Sequence, residues 1–123
     1  MKESFKHRAL ENIESAELLF ENFKFNASAN RAYYAAFHIS IAAIYHIGII
    51  PNIDHKIVQT LFINHFFNKK KILPSSFKRY LKDLQDNRNL ADYKTGISKK
   101  NAKQQLKDAI EFVELIKGII NEK

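Results

Sequence analysis

Cysteine is absent from this chain, and it holds only two prolines and three glycines. Without thiols the fold has no disulfide and no thiolate metal site, and nothing points to an oxidising compartment. A cytoplasmic location is the expectation. The scarcity of glycine and proline leaves little material for hairpins, so sheet-rich architectures are excluded in favour of helices. Long hydrophobic runs are also missing. The most apolar stretch, 35–50, is interrupted by His38, Ser40 and His46, and falls short of the roughly 18 residues a lipid-spanning helix needs. The opening residues Met1-Lys2-Glu3-Ser4-Phe5-Lys6 lack the apolar core of a secretory signal.

What is present suits one helical core. A length of 123 residues with 46% hydrophobic content fits a single domain over 1–123. Apolar residues recur at helical spacing, which predicts an all-α, up-and-down bundle of four to five helices. The first helix is expected over about 4–25, with Phe5, Ala9, Ile13, Ala16, Phe20 and Phe23 facing inward, opposite Glu11, Glu14, Glu17 and Glu21. A second, over about 26–47, is closed by Gly48 and Pro51. It is apolar nearly all round and should be central. Asp54 is a candidate N-cap for a third helix, with Val58, Leu61, Phe62, His65 and Phe66 inward, that ends at the lysine run 69–71. A fourth is expected from about Ser75 to Gly96. The fifth starts near Ser98 and carries Ala102, Leu106, Ala109, Val113, Ile116 and Ile120.

Charge is unevenly placed. Residues 1–60 hold six Lys/Arg against six Asp/Glu, whereas 61–123 hold fourteen against seven, so the whole +7 excess lies in the second half. Lys69, Lys70, Lys71, Lys78, Arg79, Lys82, Lys94, Lys99, Lys100 and Lys103 surround the fourth helix and its flanking loops. Such a distribution fits a phosphate-binding face, and equally a solvated surface.

Two constellations carry candidate chemistry. On the fourth helix, Phe77, Leu81, Leu84, Ala91 and Thr95 project within roughly 60° of Arg88, so Arg88 is expected to point inward. Asp92 follows at i+4, where its carboxylate can meet the guanidinium. The pair is either a structural ion pair or an arginine poised for phosphate with Asp92 orienting it. On the second helix, Arg31, Tyr34, Ala35, His38, Ala42 and Tyr45 form a stripe opposite Tyr33, Phe37, Ile44 and Ile47. Its rings could stack on bases while the arginine holds phosphate, or they could be packed tyrosines and a satisfied core histidine. The five histidines show no i,i+3 or i,i+4 pairing, and there is no glycine-rich phosphate loop. No metal site and no cofactor are expected.

The stretch Asn30-Arg31-Ala32-Tyr33-Tyr34-Ala35-Ala36-Phe37-His38 resembles the S-R-A-Y-Y-A-x-F-H signature of the HEPN superfamily of small helical bundles. Arg88-x-x-Ala91-Asp92-Tyr93 resembles its R-x-x-A-D-Y signature. Asp54-His55 and the stretch 67–73 add to the likeness. The resemblance implies a homodimeric bundle, often encoded beside a minimal nucleotidyltransferase and often part of a toxin and antitoxin pair, and the preferred expectation is RNA or nucleotide as ligand. Arg31, Tyr34, His38, Asn89 and Lys94 are then the binding candidates. Many relatives are metal-independent ribonucleases with an R-x(4–6)-H motif, which maps the arginine to Arg88 and a following polar residue to Asn89. The histidine is missing, and Tyr93 stands in its place. Any catalysis would fall to Arg88, Asp92 and Tyr93, with His38 or His55 as alternatives to the missing histidine. A phenol with a pKa near 10 is a poor general base at neutral pH. Five helical residues also set Tyr93 about 140° round the axis from Arg88. A nucleotide- or RNA-binding subunit is therefore the first expectation, ahead of a ribonuclease or a purely structural domain.

Overall fold

Lys2–Glu21 forms α1, Phe25–His46 α2, His55–Ile63 α3, Tyr80–Tyr93 α4 and Lys99–Ile120 α5. The computed structural model describes residues 1–69, 73–93 and 96–121, apart from the side chains at 69 and 93. Among these residues there is no strand, and the all-α bundle expected from spacing is what the chain forms. No helix is long and apolar enough to cross a membrane.

The core is organised around α2. Ser28, Ala29, Ala32, Ala35, Ala36, Ser40, Ala42 and Ala43 are all fully buried, on every side of that helix. Such short side chains let neighbouring backbones approach closely, and α1, α3, α4 and α5 each pack directly on α2. Larger side chains fill the remaining space at the ends and seams. Phe62, Phe66 and Phe112 are buried, with Phe62 stacked on Phe66 at 5.0 Å and tilted against Phe112 at 5.5 Å. The inward face of α5 matches its periodicity except that Leu106 is only partly buried, and Gln105 is buried as well. Gln105 is tied down: its Nε2 donates to the Leu84 carbonyl at 2.8 Å, and its Oε1 accepts from Asn87 at 3.0 Å. That polar bolt sets the register of α4 against α5.

Three boundaries differ from the sequence expectation. The first helix stops at Glu21 rather than near residue 25, because Phe23 adopts φ +61° and turns the chain. Phe23 is therefore exposed, not part of the inward face. Its amide and that of Lys24 donate to the Phe20 and Leu19 carbonyls, which satisfies the helix end. The third helix begins as expected, with the Asp54 carboxylate accepting from the Ile57 amide at 3.0 Å. It then widens into a π-helical segment, Asn64–Lys69. The wider turn lets the adjacent Phe66 and Phe67 both face the core beside Phe62. Helical periodicity cannot anticipate this, since it assumes one residue per 100°. Finally, α4 starts at Tyr80, after a short 3-10 turn at Ser75–Phe77. Phe77 thus packs on Tyr80 at 4.5 Å from outside the helical register of Arg88.

Gly48 and Gly96 close α2 and the α4–α5 connection with φ near +87° and +91°, where a side chain would be strained. Next to Gly96, the Ile97 amide donates to Asn26 Oδ1 at 2.9 Å, so this connection is tied to the first turn of α2. Ser98 caps α5 through the Asn101 amide at 3.1 Å.

Phe112 bridges α3 and α4 through Phe62 and Tyr80. Phe112→Ala is expected to lower stability by about 3–5 kcal/mol, read from the midpoint of denaturant unfolding followed by circular dichroism.

Candidate functional site

Buried charge marks the site. Arg88 is 7% exposed, the sole charged side chain of the described residues in the buried class. It projects from α4 toward α2, as its helical position between Leu84 and Ala91 dictates. Its Nη1 lies 3.7 Å from Asp92 Oδ2, the i+4 partner. The guanidinium carbon also sits 5.4 Å from the centroids of both the Tyr33 and Tyr34 rings. These electron-rich faces stabilise a cation that has lost most of its water.

From Asp92 a hydrogen-bonded chain runs across the bundle. Asn30 Nδ2 donates to Asp92 Oδ2 at 2.7 Å. Asn30 Oδ1 accepts from Arg31 Nε at 3.0 Å and from Arg31 Nη2 at 2.5 Å. Arg31 Nη1 reaches back to Asn12 Oδ1 on α1 at 3.2 Å. Asn12 Nδ2 then meets His38 Nδ1 at 3.1 Å. Arg31 can only donate, so it fixes the polarity of both asparagines: each presents its oxygen to Arg31 and its amide nitrogen outward. His38 Nδ1 must therefore accept, which holds the imidazole neutral.

Electrostatics agree with that polarity. Burial, then the positive charges of Arg8 and Arg31, depress the His38 pKa from 6.5 to about 4. Phe5, Tyr34 and Phe37 surround its ring.

A second cluster meets the first at Tyr33. This phenol is fully buried, and its hydroxyl lies 2.5 Å from His55 Nδ1, at the first turn of α3. The His55 ring stacks on Phe37 at 4.5 Å and on Tyr33 at 5.5 Å, and lies 6.0 Å from Tyr34. Burial pushes the Tyr33 phenol above its ordinary range. Burial and the Arg88 charge, against an opposing effect of Asp54, pull the His55 imidazole below 6.5. Both groups are neutral at pH 7.

The structure brings together Arg88, Asp92, Arg31 and Tyr34, and joins His38 to them through Asn12. Arg31 lies 5.0 Å over the Tyr34 ring, so this half-buried phenol is flanked by two guanidinium groups. The stripe on α2 is less separate from its opposite side than spacing predicts. Ala35 and Ala42 are fully buried core residues, and Tyr33, expected on the far side, faces Arg88. Asn89 is half-buried on α4, outside the hydrogen-bonded chain among the described residues. Lys94 and the Tyr93 side chain lie outside the described residues. So do Thr95, Lys70, Lys71 and the Lys69 side chain.

Of the other basic residues, Lys78, Arg79 and Lys82 are exposed at the start of α4, and Lys99, Lys100 and Lys103 at the start of α5. Arg79 and Lys82 pair with Asp83 and Asp86 at 3.8 and 3.4 Å, which trims the positive field on that side. Sequence reasoning missed Asn12 as the link between Arg31 and His38, since an asparagine in a charged helix gives no signal. It also missed Tyr33, whose ring reads as core while its hydroxyl is polar. Among the described residues, no three His, Asp or Glu side chains gather to hold a metal ion. Arg88 lies buried beside the partly exposed Tyr34 at the α2–α4 edge.

A family model described as HEPN domain matches residues 3–122, nearly the whole chain. Comparison with curated proteins gives no match.

The His38 pKa has a consequence for acid stability. Between about pH 6.5 and 4 the unfolded chain binds a proton that folded His38 refuses, so its contribution to stability, full above 6.5, is lost as pH falls through this window. Urea midpoints measured from about pH 7.5 to 4.5 should decline more steeply for wild type than for His38→Gln.

Proposed function

Since the chain belongs to the HEPN family, with Arg88 and Arg31 flanking Tyr34, we propose that it is a binding subunit that recognises RNA or a nucleotide at this edge. The observation that carries the reading is the partly exposed Tyr34 ring bordered by two guanidinium groups. A phenol face offers stacking to any base, and guanidinium groups offer forked donors to a phosphodiester. Both are held in place before a ligand arrives: Arg31 by Asn12 and Asn30, Arg88 by Asp92 and the tyrosine faces. Preorganisation of this kind lowers the entropy lost on binding.

Asp92 has a defined part in this reading. Its carboxylate orients Arg88 and Asn30. Incoming phosphate competes with it for the same cation. In this reading Asn89 and the lysines at the start of α5 add hydrogen-bonding and positive groups for the flanking phosphates. His38 supports Arg31 from below through Asn12.

The resemblance of both signatures to the family's adds the assembly. In our reading the chain is a homodimer, the toxin-like half of a pair whose other member is a minimal nucleotidyltransferase, and the edge beside Tyr34 is completed across the dimer. A ribonuclease that relies on Tyr93 has no geometric support of its own, because that side chain lies outside the described residues.

The test is fluorescence anisotropy with labelled single-stranded RNA in chelator. Arg88→Ala, shown by circular dichroism and light scattering to be folded and of unchanged assembly, should bind about 10- to 100-fold more weakly, the worth of one charged hydrogen-bonding group. Asp92→Asn should bind several-fold more tightly, because it removes the competitor for Arg88. Folded Arg88→Ala that binds as wild type does would overturn the reading.

A further inference from the structure

The face formed by α1 and α5 lies away from the Tyr34 edge. On α1, Asn12 and Glu17 project about 140° apart, and Asn12 is the one that meets Arg31. The two helices run antiparallel: Lys6 Nζ donates to Asn121 Oδ1 at 2.7 Å near one end, and Phe20 and Lys103 line one groove near the other. Phe20, Leu106 and Ile110 form the floor of that groove, about 340 Å³ in volume, and Lys103 and Lys107 border it. The apolar strip continues past the end of α1. Phe25 packs on Phe20 at 5.3 Å, and Phe23, 73% exposed at φ +61°, meets Phe25 edge-on at 6.3 Å.

The two sides of the groove carry opposite, uncompensated charge. Glu14, Glu17 and Glu21 are exposed on α1 at i, i+3 and i+7, with the exposed Leu18 among them. Lys103 and Lys107 are exposed on α5 at i and i+4. Like charges at these spacings repel along their own helix. Among the described residues no ion pair joins the two rows or relieves either one.

We propose that this groove is a self-association face: a second copy of the chain seats on it about a two-fold axis that runs along the groove, so that Glu17 and Glu21 of each α1 meet the partner's Lys103 and Lys107. Such an axis turns α1 of one copy onto α5 of the other without shifting it lengthwise. Because the acidic and basic rows lie at the same level in one chain, they face each other across the pair. The surface is thus complementary to itself, as a two-fold contact requires. Phosphate would suit the lysines but be repelled by the glutamates of the same face; a second copy satisfies both rows and covers the apolar floor. The size is adequate. With 20 residues in α1, two adjacent helices offer a face roughly 30 Å long and 20 Å wide. Two such faces together reach about 1,200 Å², where specific interfaces begin. The contact is distinct from the edge beside Tyr34, across which the reading above joins two copies, and it leaves that edge uncovered.

Sedimentation equilibrium of the full chain, from about 1 to about 200 µM, covers the range in which interfaces at the small end of the scale dissociate. Wild type should double in mass across the series. Glu17→Lys with Glu21→Lys, and separately Lys103→Glu with Lys107→Glu, should each hold the lower mass with unchanged circular dichroism. Mixed in equal amounts, the two reversed chains should again reach the doubled mass, because each α1 then meets a partner α5 of opposite sign. Mixing would not mend a merely structural defect. Ile110→Asn, which leaves the charge as it is, should weaken pairing at least about tenfold, and it carries the test where a reversed chain does not fold. A wild type of constant mass, reversed chains that pair as wild type does, or a mixture that stays at the lower mass would each overturn the inference. Reversed lysines that weaken RNA binding while the mass series is unchanged would overturn it as well, and would assign the groove to RNA.

Discussion

A guanidinium taken out of water must be met on every side, and much of the arrangement around α2 follows from meeting Arg88. Isolated burial of such a charge would be prohibitive. Two tyrosine faces cover one side, Asp92 supplies the opposite charge, and Asn30 holds that carboxylate in turn. Each of these partners needs its own support. Asn30 is oriented by Arg31, Arg31 by Asn12, and the Tyr33 hydroxyl by His55. Helices α1, α2, α3 and α4 thus contribute to one polar assembly, which the surrounding small residues of α2 allow to close up. Replacing any one member disturbs the next, so their effects on stability should be coupled rather than additive.

Much of this was legible in the residues. The scarcity of glycine and proline and the apolar spacing gave the all-α class, and Asp54 and Ser98 marked two helix starts that the structure places at the same residues. Angular position alone turned Arg88 inward and put Asp92 within its reach. What escaped was of two kinds. Local departures from ideal helix, the left-handed Phe23 and the π segment at Asn64–Lys69, break the regular spacing on which such reading depends. Contacts between helices distant in sequence were the other kind. Asn12 with Arg31 and Tyr33 with His55 are set by how helices pack, and no single helix records that.

The site also shows how one element can serve two roles. On α2 the same turn supplies Tyr33 to the core and Tyr34 to the edge, and Arg88 touches both rings. A core ring and an edge ring are therefore joined by one cation. A substitution at the edge thus reaches the core through Arg88.

The Asn30 to Asp92 hydrogen bond joins positions 62 apart, and the Asn26 clamp on Ile97 joins positions 71 apart. During synthesis, a chain that has emerged only through α3 carries the tyrosines, Arg31 and His55, but not Arg88 or the carboxylate that steadies Asn30. The clamp forms only once residue 97 has also left the ribosome. The assembled edge is consequently a late product of translation, complete only once the second half of the chain has been made.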